Sequence, residues 1–416
     1  MGLQPRRPRR YAASQGRARY ERHHEPGQGF PRPRAQGAAP GRPIRPRHRG
    51  EVVVTAKTAV EKPATAEELA KLLHEAAEAG FAVRPVGGGR AVEMGDPPSR
   101  EGIELRTTAL DRVLEHSQAD MVVSVEAGIS LEALQSQLGK SGQFLPLDPF
   151  NSPGHTIGGL LATGWTGPLR QRFGSARDFL IGIRVALPDG RLATAGGRVV
   201  KNVSGYDLMK LHYGALGTLG VIVAASFKVF PKPLHDITVE AAHASMDDAW
   251  ADVERALSMP MAPAAVELFS TGRVLGRFLG SPDATKRMVS DLGWPKADTS
   301  AWKQHAKAAP GTWARIAAPR HQLRSILDKL GPDQEWWASP GIGLANWAVA
   351  GGADDVRAVR AAAVAAGGSL VLLAGPADLR RDAGAWGTPP ATLHLMRRLR
   401  SAFDPNNVIN PGRFVV

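Results

Sequence analysis

Apolar positions along this chain switch between a period of about 3.6 and a period of 2, and the switches mark out its elements. Leu69, Leu72, Leu73 and Ala76 recur at helical spacing. Thr65 with Glu68 fits a capping box and Gly80 a helix end, so the spacing predicts a helix between them. A β-branched run, Val52-Val53-Val54, predicts a strand before it. Residues 81–86 predict a short strand feeding a triple-glycine turn, Gly87-Gly88-Gly89. Residues 121–128 predict another strand, and Ser130 opens a helix through Leu131, Leu134 and Leu138. Residues 145–149 hold two prolines and predict a loop. Residues 181–187 and 191–195 flank Pro188-Asp189-Gly190, a hairpin signal. Residues 221–230 predict a strand closed off by Pro231 and Pro233.

The texture changes at His235. Strand-like residues 237–241, 265–269 and 274–279 alternate with helical stretches 246–257 and 284–292. This βαβ rhythm predicts an α+β layer over a sheet. Seven of the nine tryptophans lie at or beyond Trp294, and the run 294–337 has too little periodicity to assign any element. A last helix over 392–403 precedes the terminal loop.

Glycine density carries the chemistry. Gly158-Gly159, Gly164, Gly167, Gly174, Gly217 and Gly220 crowd one stretch, about 70 residues beyond the first glycine turn. Bare backbone lets a ligand approach closely, and successive N–H groups can bind an anion such as a pyrophosphate. Two such clusters suggest one diphosphate-bearing cofactor held from two sides. A Rossmann turn needs G-x-G-x-x-G opening a helix. Here Gly89 is followed by Arg90, Glu93 and Asp96-Pro97-Pro98, which is no helix start.

The ordered set Gly87–Gly89, Gly158-Gly159, Gly164, Gly167-Pro168, Gly174-Ser175, Arg177-Asp178, Lys201-Asn202, Gly205-Tyr206-Asp207 and Gly217-Thr218-Leu219-Gly220 resembles the PCMH-type FAD-binding domain of the vanillyl-alcohol oxidase and D-lactate dehydrogenase superfamily. Within it the chain is most similar to the FAD-binding E subunits of bacterial glycolate oxidases. Phe403-Asp404-Pro405-Asn406 and Asn410-Pro411-Gly412-Arg413 resemble that family's terminus. The resemblance spans about residues 52–416. It implies an α+β protein: a two-lobed FAD-binding domain over 51–233, a smaller α+β cap over 234–390, and a helix and terminal loop over 391–416 returning to the flavin domain.

By the same resemblance, FAD would be met on one side by Val86, Gly87, Gly88, Gly89 and Arg90. On the other side stand Pro149, Thr156, Gly158, Gly159, Ala162, Thr163, Gly164 and Gly167. Gly174, Ser175, Arg177 and Asp178 would lie along the pyrophosphate, with an Arg177–Asp178 ion pair as the plainer reading of that dipeptide. Lys201, Gly217, Gly220, Asn410 and the backbone of Val221 and Ile222, at the adenine end, complete the set. Covalent attachment in this superfamily uses a side chain just after the first glycine turn. Gly89-Arg90-Ala91 offers no His, Cys or Tyr, so noncovalent FAD is expected. His155 reads as a solvent-facing loop histidine. Relatives often carry an acid where this chain has Leu216.

Composition narrows the function. The chain of 416 residues has no cysteine, so any iron–sulfur cluster ligated by thiolates must sit on a partner. Residues 1–50 carry 13 arginines, two glutamates and no lysine, which is +11 of the net +13. This tail is poor in aliphatic residues and is expected to be disordered. Arg6-Arg7-Pro8-Arg9-Arg10 has no apolar segment after it and is not an export signal. No apolar run reaches the roughly 20 residues of a membrane span. Beyond residue 230 the histidines, His235, His243, His305, His321 and His394, show no metal or catalytic spacing, and no catalytic residue or metal site is assigned.

The leading expectation is an FAD-dependent oxidoreductase subunit acting on a 2-hydroxy acid of glycolate or D-lactate type. It would work beside a catalytic flavoprotein subunit and an iron–sulfur subunit, in the cytoplasm or peripherally at the inner face of the membrane. Two alternatives stay open. One is a self-sufficient FAD dehydrogenase of a 2-hydroxy acid or sugar-derived alcohol. The other is a nucleic-acid-associated protein acting through the arginine tail.

Overall fold

The computed structural model describes residues 59–150, 152–197, 207–307 and 311–416. The expected strand at Val52-Val53-Val54, the basic tail and Lys201 lie outside the described residues. Those described belong to one compact unit.

The helix Ala66–Glu78 begins where its capping chemistry places it, with Thr65 Oγ1 accepting the Glu68 N–H at 3.1 Å. Glu68 closes the box one residue early, on the Ala64 N–H at 2.8 Å. Gly80 takes a φ of 74°, the left-handed turn needed to leave the helix. Leu69, Leu73 and Ala76 are fully buried. They pack on a three-stranded parallel sheet ordered Val60–Glu61, Gly102–Arg106, Ala82–Val86. Val408 and Ile409 from the far end of the chain share that core, and Ile409 bridges Val83.

The second lobe is a five-stranded antiparallel sheet. Its order is Val113–Ser117, Val122–Glu126, Val221–Lys228, Leu180–Ala186, Leu192–Gly196. Its last two strands are the expected hairpin, with Gly190 at φ 82° in the turn.

The cap is an eight-stranded sheet whose pairings are all antiparallel. The βαβ rhythm survives in a split form. Strands His235–Ala242 and Ala265–Phe269 run parallel, but Arg273–Gly280 lies between them and pairs antiparallel with both. The unassigned run 294–337 contains strands Trp313–Ala317 and Trp336–Ser339 and helices Ser300–Lys307 and Arg320–Leu327. Its period is weak because this sheet is covered on both faces. Trp336 and Trp347, cross-strand partners, join the core under the helices. Trp313 and Trp337 point the other way, into the flavin-side core, and stack with centroids 6.2 Å apart. Burial on both faces removes the polar alternation that reveals a strand. No helix among the described residues is long and apolar enough to cross a membrane.

Candidate functional site

A groove opens where the first lobe, the second lobe and the chain terminus meet. Val86, Gly87, Gly88, Gly89 and Arg90 form one wall. Thr156, Gly159, Ala162 and Thr163 form the opposite wall, with Leu216, Asn410 and Arg413 at the edge. Ten of the expected cofactor residues therefore converge on one surface. Among the described residues, no acceptor takes the N–H groups of residues 87–91. A run of free donors facing a groove is what a diphosphate requires.

The glycines divide into two kinds. A Cβ on Gly87 would meet Thr156 Oγ1 at 2.1 Å, and one on Gly88 would meet the Gly154 carbonyl oxygen at 1.6 Å. These two let the walls touch. Gly158 packs on Ala127, and Gly167 on Asp148, for the same reason. Gly159 differs, because a Cβ there would meet only Thr156 Oγ1, at 3.1 Å, and would otherwise stand in open space. Gly89 takes a φ of 74°, with nothing within 4 Å of such a Cβ. Gly89 and Gly159 are thus the glycines of the two walls whose missing side chain is not demanded by contact with the protein backbone.

Helix Ile157–Thr163 carries the second wall. Thr156 caps it, accepting the Gly159 N–H at 3.3 Å, and Gly164 ends it at φ 66°. Residues 214–216 hold it down through Gly214 N–H to Leu161 O (2.8 Å) and Leu216 N–H to Ala162 O (2.7 Å). Leu216 pays for this position with a φ of 51°. Asn410, also left-handed at φ 48°, donates from Nδ2 to Leu216 O at 2.7 Å.

Arg413 was not among the expected site residues. It is buried, and its guanidinium donates to the carbonyls of Ala91 (3.2 Å), Val92 (2.8 Å) and Met94 (2.8 Å). Burial, with Arg84 and Arg380 nearby, pushes its pKa down to about 10. It ties the terminus to the first glycine turn. The clue was the arginine closing Asn410-Pro411-Gly412-Arg413.

Other expected residues lie away from the groove. Pro149 is buried in its loop. Asp178 accepts the Ser175 N–H (2.7 Å) and hydroxyl (2.9 Å), so its carboxylate builds the turn after Gly174. Among the described residues no ion pair joins Arg177 to Asp178, whose carboxylate is taken by Ser175, and Arg177 is exposed. Gly217 takes a φ of 67° in the turn that Asn410 closes. Gly220 fits against Ala186 and Leu187, while Val221 and Ile222 are core residues paired with Ala186 and Val185. His155 is not solvent-facing. It is 4% exposed, bonded through Nε2 to Phe150 O at 2.7 Å and edge-on to Trp165. The aromatic packing of the loop buries it, and burial holds its pKa down.

Beyond Gly164 a second zone joins lobe and cap. The Tyr213 hydroxyl donates to Gly164 O at 3.3 Å, and burial raises the phenol pKa. Arg315, on the cap strand, lies within electrostatic reach of Tyr213 and of the exposed Arg170. Burial pushes Arg315 down to about 10. Its Nε donates to Asn346 Oδ1 at 3.3 Å, and among the described residues no other acceptor takes its protons. Neither residue was legible beforehand, since Arg315 sits in the aperiodic run.

Two family models match, the FAD binding domain over residues 58–196 and the C-terminal domain of FAD linked oxidases over residues 356–414. Both matched stretches are domains of FAD-linked oxidases, and FAD is the cofactor of this chain. This flavoprotein is 28% identical over 330 residues to glycolate oxidase subunit GlcE of Escherichia coli (strain K12), covering 77% of the chain and 89% of that protein. It is 27% identical to the D-lactate dehydrogenase of Archaeoglobus fulgidus, covering 86% and 91% respectively. Among solved structures, an alkyldihydroxyacetonephosphate synthase shares its fold, with a TM-score of 0.64, 17% identity and coverage of 85% and 75%. The groove fits the cofactor through its free backbone donors and the open face at Gly159.

Proposed function

We propose that this flavoprotein takes part in oxidising a 2-hydroxy acid of the glycolate or D-lactate type, as the FAD-binding subunit of an assembly with a second flavoprotein subunit and an iron–sulfur subunit. The observation that carries the substrate class is Arg315. A half-buried guanidinium with free N–H groups, within electrostatic reach of Tyr213, suits a substrate carboxylate, which it can grip by two parallel hydrogen bonds. Bound FAD supplies the hydride acceptor. Arg315 would hold the carboxylate, Tyr213 would wall the reacting carbon, and the tryptophans of the cap would exclude water. The hydroxyl proton must leave with the hydride. His155 already holds Phe150 O, and His305 holds Glu267, so a base for that proton is assigned to the partner subunit.

The subunit reading rests on the similarity to glycolate oxidase subunit GlcE and on the absence of cysteine from this chain. The similarity to a D-lactate dehydrogenase along nearly its whole length favours a second reading, a self-sufficient dehydrogenase. Anaerobic stopped-flow with the FAD-loaded chain separates the two. Slow bleaching by glycolate and D-lactate alone, and turnover only with partner subunits, is expected. Rapid bleaching of the isolated chain would overturn the subunit reading.

A further inference from the structure

The helix Leu393–Phe403 is amphipathic; it turns Leu393, Met396 and Phe403 partly inward but leaves a second apolar stripe uncovered. Its one buried side chain is Arg400, which donates to Ile409 O at 2.7 Å and to Asn407 Oδ1 at 2.5 Å. At about 100° per residue, Leu395, Leu399 and Ala402 lie roughly 100–160° around the helix from Arg400. Leu395 is 45% exposed, Leu399 is 37% exposed, and Ala402 is exposed as well. The helix is rolled so that its inward face anchors the terminal loop and its leucine stripe faces solvent.

Charge is one-sided. The helix carries His394, Arg397, Arg398 and Arg400 and no acid. Arg397 and Arg398 are exposed, and among the described residues neither forms an ion pair or a hydrogen bond to protein. The stripe runs into a concave groove lined by Ala402, Phe403, Leu187, Pro188, Glu78 and Asp189. From the helix the chain continues to Asn410 and Arg413 at the edge of the flavin groove.

We propose that this stripe and groove form the docking face for a partner subunit, presenting an apolar ridge with acidic flanks. The inference rests on the subunit reading above. An acidic-flanked ridge matches the unpaired arginines, and its crest covers Leu395 and Leu399. A second copy of this chain would bring Arg397 and Arg398 against their own likeness. An anionic bilayer is flat, whereas the stripe runs into a concave groove in which Asp189 is already paired with Arg191. Docking here places the partner beside the loop that closes the flavin groove.

The test is co-expression of the full chain with the flavoprotein and iron–sulfur subunits of its own assembly, with affinity measured on the purified components. Leu395→Lys/Leu399→Lys and Arg397→Glu/Arg398→Glu should each weaken association at least about tenfold. FAD content and melting temperature should stay at wild-type values. Because the chain has no cysteine, Leu395→Cys provides a single label site, and a maleimide should react with the free chain and be blocked in the complex. A wild-type complex that both double variants leave intact, with Leu395→Cys still reactive, overturns the docking face alone. Failure of the wild-type chain to join either subunit overturns the docking face together with the subunit reading. Loss of self-association in the variants instead would assign the face to a second copy. Loss of binding to phosphatidylglycerol vesicles instead would assign it to a membrane.

Discussion

The flavin groove and the cap strands packed on the flavin lobe use different materials. The groove is made of backbone. Its walls touch at Gly87 and Gly88, where no side chain fits, and among the described residues the N–H groups of residues 87–91 have no acceptor. The cap face is made of large side chains, with Trp313 stacked on Trp337 and Arg315 held by Asn346. A backbone site can grip a cofactor common to many enzymes, because it reads a diphosphate and little else. A side-chain site can be altered residue by residue, and the proposed carboxylate contact at Arg315 would put substrate choice there. The contrast teaches where each kind of substitution should act.

The largest effect is expected at the wall contact. Gly88→Val would drive a Cβ to 1.6 Å from the Gly154 carbonyl, backbone against backbone, with no side chain able to yield. The walls must part, at a cost above the usual overpacking range of about 1–3 kcal/mol. Loss of FAD together with a melting temperature lower by many degrees should follow. Gly159→Val sharpens the point from inside the same groove. Its Cβ meets only the Thr156 hydroxyl, and replacing a helical glycine recovers some propensity. Melting of the apoprotein should hardly change while FAD content falls severalfold. Equal behaviour of the two variants in thermal melts and flavin absorbance would erase the distinction between wall glycines and ligand glycines.

The next effect belongs to the cap. Arg315→Met should leave FAD stoichiometric, since Arg315 does not line the cofactor groove. It should slow flavin reduction in the assembled enzyme by about 10²-fold, the scale of losing a charge-assisted pair. Arg315→Lys should recover only part, because lysine cannot form the two-pronged contact. Full activity in Arg315→Met would move the carboxylate site elsewhere.

These two regions were also unequally legible. Glycine needs and caps are local. Thr65, Ser130 and the turn at residues 188–190 announce themselves within a few residues, and the flavin lobes follow from them. The glycine clusters marked a cradle, but sequence alone could not separate Gly88, which serves packing, from Gly159, which faces open space. That distinction depends on Gly154, a residue distant in the chain. In the cap, consecutive Trp336 and Trp337 serve opposite faces of a doubly covered sheet, so no period survives to be read. Arg315 looks like any surface arginine until Asn346 and Tyr213 are brought beside it. His155 misled for a related reason, since a polar residue in a loop gives no sign that Phe150 and Trp165 will close over it.

The smallest effect tests the seam between the two regions. Asp148 belongs to the loop of the flavin lobe, accepts the Leu169 N–H at 3.1 Å and lies 3.9 Å from Arg277 on the cap sheet. Burial pushes its pKa up from 3.8 to about 7, with Arg277 pulling the other way and the buried Glu267 adding to the rise. The folded protein therefore holds a proton on Asp148 that the unfolded chain releases. Between pH 3.8 and about 7 the native state binds more protons, so this group's stabilising contribution is complete below 3.8 and is lost as pH rises through 7. Asp148→Asn keeps an acceptor for Leu169 and removes the titration. The variant should gain on the wild type as pH rises, reaching about 1–3 kcal/mol at pH 8, while the two differ least near pH 4. Urea unfolding at both pH values measures the difference. A constant offset between variant and wild type would mean that Asp148 stays ionised, paired with Arg277, and that the seam is held by charge instead of by a buried acid.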